Sequence, residues 1–345
     1  MTDLRAAFLL GAEREFDGSS PTYALLARVI AERPELASPL LSAPEPLRRP
    51  LLLFGAVQYA LRTTAAGHPL AGYYPALGGT ASPGAGLVDA FTDLVKTHWD
   101  VLSGLCARRT TQTNEVRRAA QLRPAFGYAA SLAGDRPLSL VELGTSAGVL
   151  LVPDLTEQET ELRGPEPGYL DRDLRIGGRT GIDLAPVRPG DTEGETWLRA
   201  CVWPEHTERL ARLDAALATR ATADITWIAG DMVDAVPGAI GAVPGDHLPV
   251  VFASNAVCYL DEPARLVQAL AATGRDLVLI LNEAPPAGLA LLTDDPVPFD
   301  APGVLVSAEI SGGQLVRARA LAGTGAHGAW LDWGPKALNP RTLPV

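Results

Sequence analysis

The sequence predicts an α/β protein: a mostly parallel sheet with helices on both faces and an antiparallel C-terminal pair, preceded by a helical region. Three observations carry this. Up to about residue 133 the apolar residues recur at helical spacing, and no strand pattern precedes Leu138. A short apolar run, Leu138–Leu143, then ends in a glycine turn. Beyond it strand and helix candidates alternate, as they do where crossovers join parallel strands. Two domains are expected, a helical cap over 1–133 and the sheet over 134–345.

At 345 residues, 47% hydrophobic and 20% charged, the chain can bury a large core. The formal net charge is −11, and lysine occurs only at Lys96 and Lys336, so a phosphate-backbone partner is electrostatically disfavoured. Nucleic acid is excluded on that ground. Cys106, Cys201 and Cys258 lie far apart with no C-x-x-C spacing, which speaks against a zinc site and against a disulfide framework, so no metal is expected. The apolar run within Met1–Phe16 is too short for a signal peptide, and no run approaches the ~18 apolar residues of a membrane span. We expect a soluble, unprocessed, cytoplasmic protein with no membrane partner.

In the helical region, Thr22–Ile30 has the spacing of an amphipathic helix, and Pro21 stands where a first helical turn tolerates proline. Leu51–Tyr59 and Leu87–Leu105 give two further helices. Between them Gly67–Gly86, with Tyr73-Tyr74-Pro75 and Gly78-Gly79, has the composition of a loop. In Thr111–Glu115, Thr113 or Asn114 can cap a helix over Val116–Leu122.

Pro137–Leu151 is the turning point: a strand, a tight turn and an apolar segment that opens a helix. Thr180–Leu184 is a second strand, ending in Asp183, reached through a polar insertion from Asp154 to Gly178 with room for a hairpin. Trp197–Thr219 reads as one helix. Ile225–Ala229 is a third strand, followed by Gly230-Asp231-Met232. Leu248–Ser254 is a fourth, apolar along its length as a strand covered on both faces. A helix over Glu262–Ala272 leads to a fifth strand, Leu277–Leu281. Val304–Ile310 and Leu315–Leu321 then pair around Gly312-Gly313.

The residues Gly144-Thr145-Ser146-Ala147-Gly148 satisfy two motifs with different chemistries. As G-x-S-x-G they form a nucleophile elbow, with Ser146, a later carboxylate such as Asp231 or Asp261, and His327 in the chain order of α/β hydrolases. An elbow serine, however, follows earlier strands of its sheet, and everything upstream here reads helical. As acidic-x-Gly-x-x-x-Gly they form a cofactor loop after the first strand. A G-x-G-x-x-G fingerprint and a Walker lysine are both absent. Asp183 and Asp231 end the next two strands, where open α/β sheets bind ligands. Each is equally accounted for as a polar strand end, Asn255 as a turn residue and His327 as a surface histidine.

Glu142-x-Gly144-x-Ser146-x-Gly148 resembles the nucleoside-binding loop of Rossmann-like class I S-adenosylmethionine-dependent methyltransferases, with a serine in place of the middle glycine. The resemblance implies cofactor contacts from Glu142, Gly144, Ser146 and Gly148, with Asp183 on the ribose hydroxyls and Asp231-Met232 at the adenine. It also implies that Ser254–Pro263 faces the transferred methyl group. More narrowly, Leu143–Gly148, Gln112-Thr113-Asn114-Glu115, Tyr73-Tyr74-Pro75 and Cys201-Val202-Trp203-Pro204-Glu205 with Arg209-Leu210 together resemble an uncharacterised bacterial domain-of-unknown-function family. That resemblance runs from about Pro21 to Leu281 and implies a helical N-terminal part and a methyltransferase-like sheet. Two positions depart from it: Gln58 replaces a histidine, and Val149-Leu150 an asparagine.

The implied reaction is transfer from a sulfonium to a small-molecule nucleophile, with alignment and exclusion of water as the main tasks. Tyr74, Asn114, Asn255 and Tyr259 would surround the acceptor under a roof of N-terminal helices, with Glu115 as a base. Caps and satisfied buried polar groups account for the same residues. Other functions stay open: an enzyme of this fold catalysing a cofactor-independent substitution or ring closure in specialised metabolism, a noncatalytic subunit with a protein partner or in a homodimer, and a serine hydrolase using Ser146.

Overall fold

The structure is a computed structural model that describes residues 4–156 and 158–342. Residues 1–3 of the amino-terminal stretch and residue 157 of the polar insertion lie outside the described residues. In chain order the α-helices are α1 (Leu4–Gly11), α2 (Pro21–Glu32), α3 (Pro50–Arg62), α4 (Ala85–Thr97), α5 (Trp99–Arg108), α6 (Arg118–Ala133), α7 (Thr192–Ala200), α8 (Thr207–Arg220), α9 (Met232–Gly241), α10 (Ala264–Ala272) and α11 (Pro285–Gly288). The strands are β1 (Leu138–Leu143), β2 (Glu161–Arg163), β3 (Ile176–Asp183), β4 (Thr226–Ala229), β5 (Leu248–Ser254), β6 (Leu277–Glu283), β7 (Gly303–Ser311), β8 (Gln314–Thr324) and β9 (Trp330–Leu338). They belong to two compact units, one of residues 1–114 with 190–214 and one of 115–189 with 215–345.

The first unit is helical. Ser20 caps α2 by accepting from the Tyr23 N–H, and Pro21 takes the first helical position. The expected helix over Leu87–Leu105 is two, α4 and α5, broken at His98. Trp197–Thr219 likewise divides into α7 and α8, because Pro204 lies in the middle of the segment and cannot continue a helix. The segment from α7 onward closes this unit's core. Trp197 packs against the Cα of Gly55 and donates Nε1–H to the Thr110 carbonyl at 2.8 Å. Buried Gln58 donates to the carbonyls of Ala200 and Val202 at 2.7 and 2.6 Å. Glu205 accepts from the Ser20 hydroxyl and the Thr22 N–H, and the Pro204 carbonyl accepts from Ala76 N–H. The Tyr73–Pro75 and Cys201–Glu205 motifs are therefore neighbours.

The second unit holds a nine-stranded sheet in the order β2-β9-β8-β7-β6-β5-β1-β3-β4. β4, β3, β1, β5 and β6 pair in parallel, and β6 through β9 form an antiparallel meander. The expected C-terminal pair is β7 and β8, turning at Gly312-Gly313 with positive φ at both, and β9 extends it by one strand. Among the described residues the polar insertion forms no hairpin; β2 is three residues long and pairs in parallel with β9 at the sheet edge. β1 is wholly buried between β3 and β5. Alternate side chains such as Val141 and Leu143 join the core made with α9 and α10, while α6 covers the other face, where Phe126 meets Phe252 edge-on at 5.0 Å. From β1 the chain steps outward to β3 and β4, then returns to β5 on β1's other side. That reversal is a topological switch point, and the carboxyl ends of strands at such a point are where open α/β sheets bind ligands.

Candidate functional site

The loop leaving β1 has left-handed φ at alternate residues: +70° at Gly144, +48° at Ser146 and +68° at Gly148. Ser146 thus holds the backbone conformation that a middle glycine would supply. Its N–H donates to Asp183 Oδ2 at 2.8 Å. The N–H groups of Gly144 and Thr145 go to the Ile182 carbonyl, that of Gly148 to the Thr145 carbonyl, and the Ser146 carbonyl accepts from Val187. A Cβ on Gly148 would lie 2.7 Å from the Trp227 ring, and one on Gly144 2.5 Å from the Ala256 Cβ. Buried Arg220 donates Nη1–H to the carbonyls of Ala147 and Val187 and clamps the loop from the end of α8.

No helix follows this loop. Residues 148–155 continue as turns, against the expectation of a helix start after Gly148. The nucleophile elbow is a strand–turn–helix motif, so the hydrolase reading of Ser146 loses its structural context. The cofactor-loop reading loses a helix dipole but keeps its backbone path. Within the loop only Gly144 and Ser146 are partly exposed.

The ends of β3 and β4 meet at this loop. Asp183 Oδ1 accepts from Ala185 N–H at 2.9 Å, and the Asp183 carbonyl accepts from Gly230 N–H. Leu184, next in sequence, is 77% exposed. Asp231 caps α9: Oδ1 accepts from Val233 and Asp234 N–H. The Met232 Cε lies 3.9 Å from the position of a Gly144 Cβ. The structure therefore brings Gly144, Ser146, Asp183, Asp231 and Met232 together, with Gly148 buried beneath them.

Beside the loop lies a cluster of buried polar groups. Glu142 accepts from the Thr145 hydroxyl at 2.6 Å, and burial pushes its carboxyl up to about 8, with the Asp183 charge adding to the rise. Arg118, at the start of α6, donates Nη1–H to the Ser254 carbonyl. With the Asn255 amide oriented to satisfy both partners, its oxygen accepts from Arg118 Nη2 and Nε at 3.1 and 3.3 Å. Asn255 itself is left-handed, at φ +53°. Glu283, the last residue of β6, is 1% exposed; its Oε1 accepts from Ala256 and Val257 N–H at 2.8 and 3.0 Å. Its Oε2 is buried, and Cys258 hydrogen-bonds the same carboxyl. Deeper in, Gln121 donates to the Gly325 and Trp330 carbonyls and accepts from Asn282, whose oxygen accepts from Thr324.

The remaining expected site residues fall as follows. Tyr259 is 82% exposed on the segment after β5. Glu115 is buried and its Oε1 accepts from Arg117 N–H; α6 begins at Arg118, with Arg117 and not Thr113 or Asn114 at its N-cap position. Asn114 is half-buried in the helical unit. Tyr74 lies in that unit's core at 0% exposure, edge-on to Tyr23, with its hydroxyl unbonded and its phenol raised by burial. Glu283 and Arg118 lie outside the sequence motifs. Glu283 carries the strand-end signal that marks Asp183 and Asp231, but the apolar run of its strand stops short of it, at Leu281; for Arg118 no sequence signal exists.

A family model described as "Uncharacterized protein conserved in bacteria (DUF2332)" matches residues 5–333. The chain belongs to that family. No curated protein matches this DUF2332 chain. Among solved structures it is similar to the plantazolicin methyltransferase BpumL in complex with a desmethyl analogue and SAH, at 13% identity over 60% of each chain and a TM-score of 0.27. It is also similar to an S-adenosylmethionine-bound amino pentose methyltransferase of calicheamicin biosynthesis from Micromonospora echinaspora, at 17% identity, 67% of this chain, 78% of that one and a TM-score of 0.27. A third is an S-adenosylmethionine-dependent methyltransferase from Clostridium acetobutylicum, at 7% identity, 73% and 81% coverage and a TM-score of 0.24. The DUF2332 chain spans 60% of the length of BpumL. The fold assignment rests on the strand order itself. Among the described residues no helix is long and apolar enough to cross a membrane, and no group of three or more His, Cys, Asp or Glu side chains is placed to hold a metal ion.

Proposed function

We propose that this protein binds S-adenosylmethionine at the carboxyl ends of β1, β3 and β4 and modifies a small molecule by methyl transfer. The observation that carries the reading is the left-handed backbone of Ser146, which keeps the path of a glycine loop and places its N–H on Asp183. The residues present fit the cofactor on that ground: Gly144 and Ser146 are the partly exposed residues of the loop, and exposed Leu184 offers an apolar surface next to a carboxylate. Asp183 would hold the ribose, and Leu184, Asp231 and Met232 the adenine; once bound, the cofactor supplies an electrophilic methyl group. Asn255 and Tyr259, on the segment after β5, are proposed for the acceptor, with Glu115 as a base; Tyr74, sealed in the core of the helical unit, is not.

The test is calorimetry with S-adenosylmethionine and its demethylated product, SAH, on the wild type and Asp183→Ala. Micromolar binding that Asp183→Ala weakens at least tenfold is the expected result. Absence of binding to the folded wild type would refute the reading. A second reading, an enzyme of the same fold that uses these strand ends without a methyl donor, draws on the missing helix after Gly148 and predicts that result.

A further inference from the structure

Arg220 is the last residue of α8 and lies in the sheet-bearing unit at 0% exposure. Its Nη1 donates to two carbonyls, that of Ala147 at 2.9 Å and that of Val187. These belong to different segments. Ala147 stands between Ser146 and Gly148 in the loop after β1, and Val187 closes the stretch after β3 that begins with Asp183 and Leu184. The same two segments are joined by Ser146, whose N–H goes to Asp183 and whose carbonyl accepts from Val187 N–H. The guanidinium also lies 5.8 Å from the centroid of the Trp227 ring on β4, and that ring is what a Gly148 Cβ would strike. One side chain thus meets the β1 loop, the β3 tail and β4. Burying a guanidinium costs more than burying an apolar residue of the same length, so packing alone does not account for it. The loop supplies the reason. Residues 148–155 run on as turns, so no helix ladder takes up the Ala147 carbonyl and no helix N-terminus puts positive charge behind the loop. Arg220 provides both the donor and the charge.

We propose that Arg220 is a positioning residue for the cofactor: by holding the Ala147 and Val187 carbonyls on one nitrogen, it keeps the β1 loop and the β3 tail at the spacing in which Ser146 and Leu184 meet the ligand together. This rests on the reading of these strand ends as the S-adenosylmethionine site. At 0% exposure Arg220 acts only through those two backbones. The consequence is a site formed before the ligand arrives. Without the two hydrogen bonds the competent loop becomes a minor state, and affinity falls in proportion to the fraction of molecules that hold it. The bonds to the carbonyls carry the effect, not the bulk of the side chain.

The probe is SAH, so no acceptor need be identified. Its affinity is measured by calorimetry for the wild type, Arg220→Met and Arg220→Lys, with the folded state of each checked by its denaturation curve. Methionine fills much of the space and donates nothing, whereas lysine keeps a charged donor for the carbonyls. The expected result is a loss of about tenfold or more in Arg220→Met, as for a loop competent about one tenth of the time, with Arg220→Lys returning to within about threefold of the wild type. A side chain that only supports the fold would shift the denaturation midpoints and leave SAH affinity alone. Wild-type affinity in folded Arg220→Met therefore overturns the proposal, and so does an equal loss in both variants, which would assign the effect to shape. Either outcome leaves the cofactor reading standing. No binding of SAH to the folded wild type overturns the cofactor reading and this inference with it. If Arg220→Met does not fold, Arg220→Gln replaces it: the shorter amide serves one carbonyl at most, so affinity must fall by about threefold or more, and unchanged affinity overturns the proposal.

Discussion

Ser146 donates its backbone N–H to Asp183 Oδ2 across 2.8 Å, so the loop after the central strand is latched to the end of the neighbouring one. Asp183 Oδ1 holds the Ala185 N–H at the same time. Asp183→Ala should therefore cost about 2 kcal/mol of stability, the scale for hydrogen bonds to a charged group, apart from any effect on ligand binding. Denaturant midpoints of the apo protein check this; an unchanged midpoint would mean that the latch is not what orders the loop.

The burial of Glu142 gives stability a pH slope of definite sign. Its folded value of about 8 stands above the ordinary carboxylate value near 4.5, so the folded state binds more protons in between. Stability should fall as pH rises from about 4.5 to about 8 and level off beyond, with a slope of at most roughly 1.4 kcal/mol for each step of one in pH. Glu283, also raised by burial, adds a slope of the same sign. Glu142→Gln should flatten the curve, matching the wild type near pH 5 and exceeding it at pH 9. Urea midpoints across this range read the outcome directly.

Ser146 bears left-handed strain that a glycine would not. Ser146→Gly should be stabilising by about 1 kcal/mol, seen as a higher melting temperature. A fluorophosphonate probe should leave Ser146 unlabelled, and labelling would revive the hydrolase.

Gln121 joins α6 to the β8–β9 connection and to β6 through its single amide. Gln121→Leu takes a donor from the Gly325 and Trp330 carbonyls, of which the latter still accepts from Gly325 N–H, and takes the acceptor from the Asn282 amide, and should cost about 2 kcal/mol. Adding Asn282→Leu should cost less than the sum of the separate changes, because the two residues share one network. Strict additivity in the double-mutant cycle would contradict that network.

The parallel half of the sheet is legible in the sequence because buried strands such as Leu248–Ser254 are apolar along their whole length, and because glycine and aspartate mark where they end. What escapes has physical reasons. Trp197–Thr219 keeps its helical spacing on both sides of Pro204, so the break carries no periodic signal. β9, Trp330–Leu338, alternates poorly because Gly334, Pro335 and Lys336 interrupt it. The missing helix after Gly148 is invisible since Val149–Val152 is an apolar run that suits a buried turn as well as a helix. At the site, residues announced by strand ends come together, while Arg118 owes its place to the α6 packing that no local pattern encodes.

Trp197 and Glu205 complete the helical unit, yet they are synthesised only after β3. A ribosome that has released Thr110, Gly55 and Gln58 has therefore made a core with its central indole still missing. The helical unit must wait, unfinished, until β1, β2 and β3 have emerged, and only an amino-terminal fragment that extends through residue 214 contains all of it. Translation order thus sets the first three strands of the sheet between the two parts of the helical unit.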